Sequence, residues 1–217
     1  DQIANYINTG VWTSKAIKEA KKIGNVHVAF DGADTNFDYC PSQSELDLAP
    51  NASYLHYCSN NTIYGTQSHT PLTSDSPVIC DMSSDIFSRA IDWSKFDMVY
   101  AGAQKNLGPS GTVLVIIRKT LLERCSDGLP LLLNYQAIAS KNSMLNTPPT
   151  FGIYLMGQIF KWIQEEGGLA ELENRNRDKA KQIYDALEER SDCYTIFAKE
   201  GSRSTMNISF KTTSEEL

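Results

Sequence analysis

Short apolar runs, separated by longer polar or amphipathic stretches, set the pattern of this chain. "NVHVAF" (25–30) alternates like a strand and "SYLHYC" (53–58) reads as another, followed by the polar turn "SNNTIYG". "PVICD" (77–81), "FDMVYA" (96–101) and "TVLVIIR" (112–118) are apolar on both faces. Runs of that kind, joined by crossover-length segments, predict an α/β fold with a mostly parallel sheet covered by helices. "TSKAIKEAKKIG" predicts a short amphipathic helix, capped by Thr13 or Ser14 and stopped at Gly24. Residues 31–52 read as loop with one helical turn around Glu45, and "KTLLERC" reads as a short helix.

Beyond residue 145 the pattern changes. Thr147 precedes Pro148 and is expected to be extended, while Thr150 can cap the helix that follows. In that helix, "FGIYLMGQIFKWI" (151–163), apolar residues cover almost the whole circumference, which predicts packing on several sides. Leu169, Leu172, Ala180, Ile183, Tyr184 and Leu187 then share one face of a longer amphipathic helix, and "CYTIF" and "TMNISF" read as two strands. The expected boundary lies near Gly167–Gly168. It separates a large α/β unit over 1–167 from the beginning of a smaller α+β unit over 168–217.

Composition narrows the classes. A hydrophobic fraction of 41% and a charged fraction of 21% over 217 residues are ordinary for a soluble globular chain. The net charge of −6 argues against a general nucleic-acid binder, and Lys15, Lys18, Lys21 and Lys22 read as the solvated side of a helix. The longest apolar stretch, 151–163, is too short for a bilayer and contains Lys161, so no membrane partner is expected. Five cysteines without a Cys-x-x-Cys pair fit reduced thiols in the cytoplasm. Three scattered histidines give no metal motif. Asn51, Asn60 and Asn207 head glycosylation tripeptides that, with no signal peptide read in the chain, are taken as chance matches.

Ligands of open α/β sheets gather beyond the carboxyl ends of the strands. Thr62, Asp81 and Lys105 fall at such ends. A lysine can hold an aldehyde cofactor covalently, and a carboxylate can keep a pyridine nitrogen protonated so that the ring accepts electrons. Read alone, the aspartate is more often a turn or helix cap, the lysine a surface charge and the threonine a turn hydroxyl. Spacing by itself leaves an α/β domain with a candidate ligand site.

The literal strings go further. "INTGVW" (7–12), "CDMSS" (80–84), "AGAQKN" (101–106) and "NTPPTF" (146–151) occur in one order, and the likeness runs on through "KWIQEEGGLAELE" to "GSRSTMNISF". Together they resemble the phosphoserine aminotransferases, class V pyridoxal-phosphate enzymes of fold type I, whose sheet is of a seven-stranded type. The resemblance implies that Lys105 binds pyridoxal 5'-phosphate covalently, that Asp81 pairs with its ring nitrogen, and that Trp12 stacks on the ring. It assigns Thr62 to the phenolic oxygen side and Gln104 to the phosphate. Asn146 and Thr147 would reach the phosphate held by a neighbouring subunit, which implies a homodimer. The implied reaction exchanges an amino group between glutamate and 3-phosphohydroxypyruvate, giving 2-oxoglutarate and O-phosphoserine in L-serine biosynthesis.

The likeness also departs from the family. Asn61 stands where these enzymes usually carry an acid, and Arg203 lies in a matched region without matching a substrate arginine. The family's early arginine region, its Gly-rich phosphate loop and its later substrate arginines have no counterpart here, so the chain reads as the central part of a longer enzyme. Two alternatives stay open: another class V aminotransferase of the alanine–glyoxylate type, served by the same lysine and aspartate, or an α/β scaffold that binds no cofactor.

Overall fold

The computed structural model describes residues 2–126 and 128–213. Strands β1 (Ile3–Asn8) and β2 (Asn25–Asp31) flank helix α1 (Val11–Ala20), and β3 (Leu55–Cys58) follows. A small hairpin of β4 (Asn60–Asn61) and β5 (Thr66–Gln67) precedes β6 (Val78–Asp81), β7 (Met98–Gly102), the one-turn helix α2 (Ala103–Asn106) and β8 (Val113–Ile117). The main sheet has the order β2-β1-β3-β6-β7-β8. Its pairs are parallel except β7–β8, which is antiparallel. That reversal follows from the link: one helical turn and a loop are too short for a parallel crossover. The described residues thus supply six strands of the expected mostly parallel architecture.

β1, an interior strand next to the edge strand β2, carries no readable strand signal because Asn5 and Asn8 interrupt its apolar run. Asn5 is fully buried, and its amide satisfies both backbone groups of Ala49, at 3.2 and 3.1 Å. A buried polar group needs such partners, and these lie 44 residues away. Helix α1 starts at Val11, two residues ahead of the expected cap. Thr13 sits inside the first turn, where its hydroxyl accepts from the N–H groups of Thr9 (2.9 Å) and Gly10 (3.0 Å).

Alternation along the parallel strands sorts side chains to two faces. Leu55 and Tyr57, Val78 and Cys80, and Val99 and Ala101 enter the main core, together with Ile86, Leu107 and Met156. His56, Cys58, Asp81 and Tyr100 therefore point to the opposite face. There Ile17 of α1 packs on Ala4 and Tyr6.

After β8 come α3 (Lys119–Leu122), α4 (Tyr135–Ser140), α5 (Thr150–Glu165) and α6 (Gly168–Glu189). Contrary to its pattern, α5 is covered along one stripe only. Gly152 and Met156 are buried, whereas Phe151, Ile153, Tyr154 and Trp162 are exposed. The stripe that meets the core runs through Met156 and Phe160; Leu155, Ile159 and Ile163 are half-buried, and Phe151, Ile153, Tyr154 and Trp162 face outward. Helix α6 buries Leu172, Ala180, Tyr184 and Leu187 and leaves Ile183 exposed. Gly167 and Gly168, both at positive φ, separate the two helices. Among the described residues no helix is long and apolar enough to cross a membrane.

β9 (Tyr194–Ile196) pairs antiparallel with β10 (Phe210–Thr212), so the second strand begins later than "TMNISF" suggests. The residues before it bind the β4–β5 hairpin instead. Ser204 N–H donates to Gly65 O (2.9 Å), Thr205 N–H to Gln67 Oε1 (3.1 Å) and the Ser209 hydroxyl to Ile63 O (2.8 Å). Gly65 has φ 66°, and a Cβ there would lie 2.9 Å from Ser209 N, so this approach needs glycine. The last four residues of the expected second unit lie outside the described residues.

Candidate active site

Four strand ends on one edge of the sheet supply the site. β1 runs into α1 and presents Trp12; β3 runs into the hairpin that carries Thr62; β6 ends on Asp81; β7 runs into α2, which carries Gln104 and Lys105. Trp12, Asp81, Gln104 and Lys105 line one cleft of about 260 Å³, with Cys58, Asn60, Ser83 and Ser84. Lys105 Nζ lies 5.2 Å from the centre of the Trp12 ring and 3.5 Å from the Thr62 hydroxyl. The Trp12 indole N–H donates to the same hydroxyl at 3.3 Å. Lys105 is exposed, while its neighbours Ala103 and Leu107 are fully buried and anchor the turn. A larger hollow of about 750 Å³, between α1 and β2, holds no lysine–carboxylate pair.

Ser83 fixes the orientation of Asp81. Its N–H (2.9 Å) and its hydroxyl (2.6 Å) both donate to Asp81 Oδ1, so Oδ2 remains to meet another donor. An Asx-type turn of this kind is legible in the Asp-x-Ser spacing, although Ser83 drew no attention there. The turn continues to Asp85, fully buried, which accepts from Ser59 and Gln67 and pairs with Arg89. Asn60 joins the cleft to the chain's last segment: its amide donates to Ser84 Oγ and Asn207 Oδ1, each at 2.8 Å. Asn61 is buried and donates to the hydroxyls of Thr9 and Thr66, both at 3.2 Å, which a carboxylate could not do.

Asn146 and Thr147 are exposed and line no part of this cleft. Met144 and Phe151, which flank them in sequence, are exposed, and so are Leu131, Leu132 and Leu133. Arg203 is also away from it, pairing with Glu188 and lying 5.0 Å over the Tyr184 ring.

Behind the cleft, burial pulls His56 down to about 4. The folded protein then holds this ring neutral where the unfolded chain protonates it. Its contribution to stability is complete above pH ~6.5 and is lost as pH falls toward 4, by about 3 kcal/mol in total. His56→Gln is expected to flatten the acid side of the stability profile by that amount, read from urea unfolding at pH 7 and 4.5. Equal slopes in the two proteins would contradict the assignment.

The family profile described as "Aminotransferase class-V" matches residues 4–217. The chain belongs to this family. As a class-V aminotransferase it is 51% identical over 219 aligned residues to the phosphoserine aminotransferase of Desulfatibacillum aliphaticivorans. It is 49% identical over 218 residues to that of Herpetosiphon aurantiacus. The solved phosphoserine aminotransferase from Bacillus circulans subsp. alkalophilus matches with a TM-score of 0.96 at 48% identity, over 99% of this chain and 60% of that one. This class-V chain spans 60% and 61% of the two curated relatives.

Proposed function

We propose that the complete protein containing this chain is a pyridoxal-phosphate-dependent phosphoserine aminotransferase. It would transfer an amino group between glutamate and 3-phosphohydroxypyruvate to give O-phosphoserine and 2-oxoglutarate, on the route to L-serine. The convergence of Lys105, Asp81 and Trp12 on one cleft, with the Thr62 hydroxyl at 3.5 Å from the Lys105 amine, carries this reading. The names of relatives about half identical in sequence support this substrate class.

The residues fit the cofactor. Trp12 offers a flat apolar face to a planar ring, gaining dispersion and hydrophobic contact without a directional bond. Asp81, its Oδ1 held by Ser83, presents a carboxylate to a protonated ring nitrogen. Gln104, on the same turn as Lys105, serves the phosphate, and Thr62 the phenolic oxygen. When bound, pyridoxal phosphate supplies an electron sink for a carbanion. Lys105 holds the cofactor until substrate takes its place. Its amine would then take the proton from the substrate's Cα and deliver it to the cofactor's former aldehyde carbon, because it stays beside the atoms it has just left.

Asn146 and Thr147 act in a second copy's site, making the enzyme a homodimer. Their exposure supports this, as does the exposure of the large apolar residues Leu131, Leu132, Leu133 and Phe151, since exposed apolar surface favours an interface. Five free thiols fit a cytoplasmic enzyme. The deciding experiment is borohydride reduction in the presence of pyridoxal phosphate, followed by mass mapping. A phosphopyridoxyl label on the peptide containing Lys105 is expected; a label scattered over surface lysines, or none, would end this reading.

A further inference from the structure

The sheet face opposite the main core carries a file of polar aromatic side chains to which the proposed reaction gives no task. Tyr6, His56 and Tyr100 stand on β1, β3 and β7, and Asp81 stands on β6 between the last two strands. The register sets Tyr6 beside His56 and Asp81 beside Tyr100. His56 Nε2 lies 2.9 Å from the Tyr100 hydroxyl. Its ring sits between those of Tyr6 and Tyr100, with centroids at 4.8 and 6.0 Å. His56 is only 5% exposed, and its Nδ1 is buried without a partner.

That orphan nitrogen fixes the direction of the bonds. Were Tyr100 to donate to Nε2, the ring proton would sit on Nδ1 as a buried, unsatisfied donor, and the Tyr100 oxygen would turn lone pairs toward Asp81. With the proton on Nε2, the histidine donates to Tyr100, and Tyr100 is free to donate onward. Nδ1 then keeps only an unused lone pair.

We propose that His56 and Tyr100 are positioning residues for Asp81: His56 Nε2–H donates to the Tyr100 oxygen, and Tyr100 O–H donates to the Asp81 carboxylate. Ser83 grips that carboxylate at Oδ1, and Tyr100, its neighbour in register on β7, would steady the other side and keep it aimed into the cleft. Burial, and next the charge of Asp81, push the Tyr100 hydroxyl far above the usual phenol range, as expected of a donor facing an anion. Burial keeps His56 neutral at pH 7. The inference rests on the reading of Asp81 as the partner of the pyridine nitrogen.

Two measurements on the complete protein test it. Nitrogen NMR of the histidine rings, before any cofactor is added, should find His56 neutral and protonated on Nε2 at pH 7. Titration with pyridoxal phosphate should show Kd raised about tenfold by Tyr100→Phe and about as much by His56→Leu, the loss of one bond in a chain ending on a charge. His56→Gln, which keeps an N–H, should stay within about threefold of the parent. A proton on Nδ1, or a Tyr100→Phe protein that binds as tightly as the parent, overturns the proposal. Asp81→Asn separates the two levels. If it weakens binding and Tyr100→Phe does not, the positioning role alone falls; if Asp81→Asn binds normally, the reading of Asp81 falls with it.

Discussion

Lys105→Ala is expected to lower turnover by at least about 10³-fold while leaving the fold intact, because in the proposed reaction this side chain is both the covalent anchor and the proton carrier. The stability half of that expectation follows from burial. Lys105 is exposed on its helical turn, and that turn is anchored by Ala103 and Leu107, both fully buried. The nearest partners of the amine are the Thr62 hydroxyl at 3.5 Å and the Trp12 face, both at the cleft surface. Losing them costs little. Lys105→Arg should be as inactive as the alanine variant, since a guanidinium stays protonated and cannot act as nucleophile or base. Steady-state rates with O-phosphoserine as donor, beside thermal unfolding of each variant, check both halves. Turnover within tenfold of the parent in either variant would remove Lys105 from the chemistry.

Asp81→Asn carries the second largest effect. The amide oxygen can still accept from Ser83 N–H and Oγ, so the turn at the end of β6 should survive. What disappears is the charge. A neutral partner cannot hold a ring nitrogen protonated, and the electron-withdrawing power that stabilises the reacting carbanion weakens. The expected fall in kcat is about 10³-fold, the usual effect of removing one preorganised electrostatic partner from an active site. Affinity for pyridoxal phosphate should fall about 10- to 100-fold, as for a hydrogen bond to a charged group. Rates and cofactor titrations on the same preparation read both. A variant keeping more than a tenth of parental kcat would show that the negative charge is dispensable.

Much of this architecture is legible along the chain, for reasons that differ by element. β6, β7 and β8 announce themselves because they are apolar on both faces, and Asp81 and Lys105 are conspicuous where those runs end. β1 is silent because Asn5 finds its partner only at Ala49, a pairing that no local window contains. The start of α1 is misplaced because Thr13 caps from inside the first turn rather than ahead of it. β10 begins late because the residues before it are drawn to the hairpin around Gly65. His56 and Tyr100 pass unnoticed because each lies within a strand that reads as plain filling; only the register of β6 with β7 sets Tyr100 beside Asp81, and only the folded sheet brings His56 to Tyr100. "NTPPTF" is equally visible, yet its two polar residues lie outside the cleft that the other motifs build.

The alternation within β6 has a further consequence. Cys80 is fully buried among apolar neighbours, and Asp81, the next residue, faces the other way. A slip of one position would drive a charged group into hydrocarbon and expel a core side chain, a penalty of several kcal/mol. The alternation of this four-residue strand therefore disfavours the shifted register and holds Asp81 on the side of the cleft.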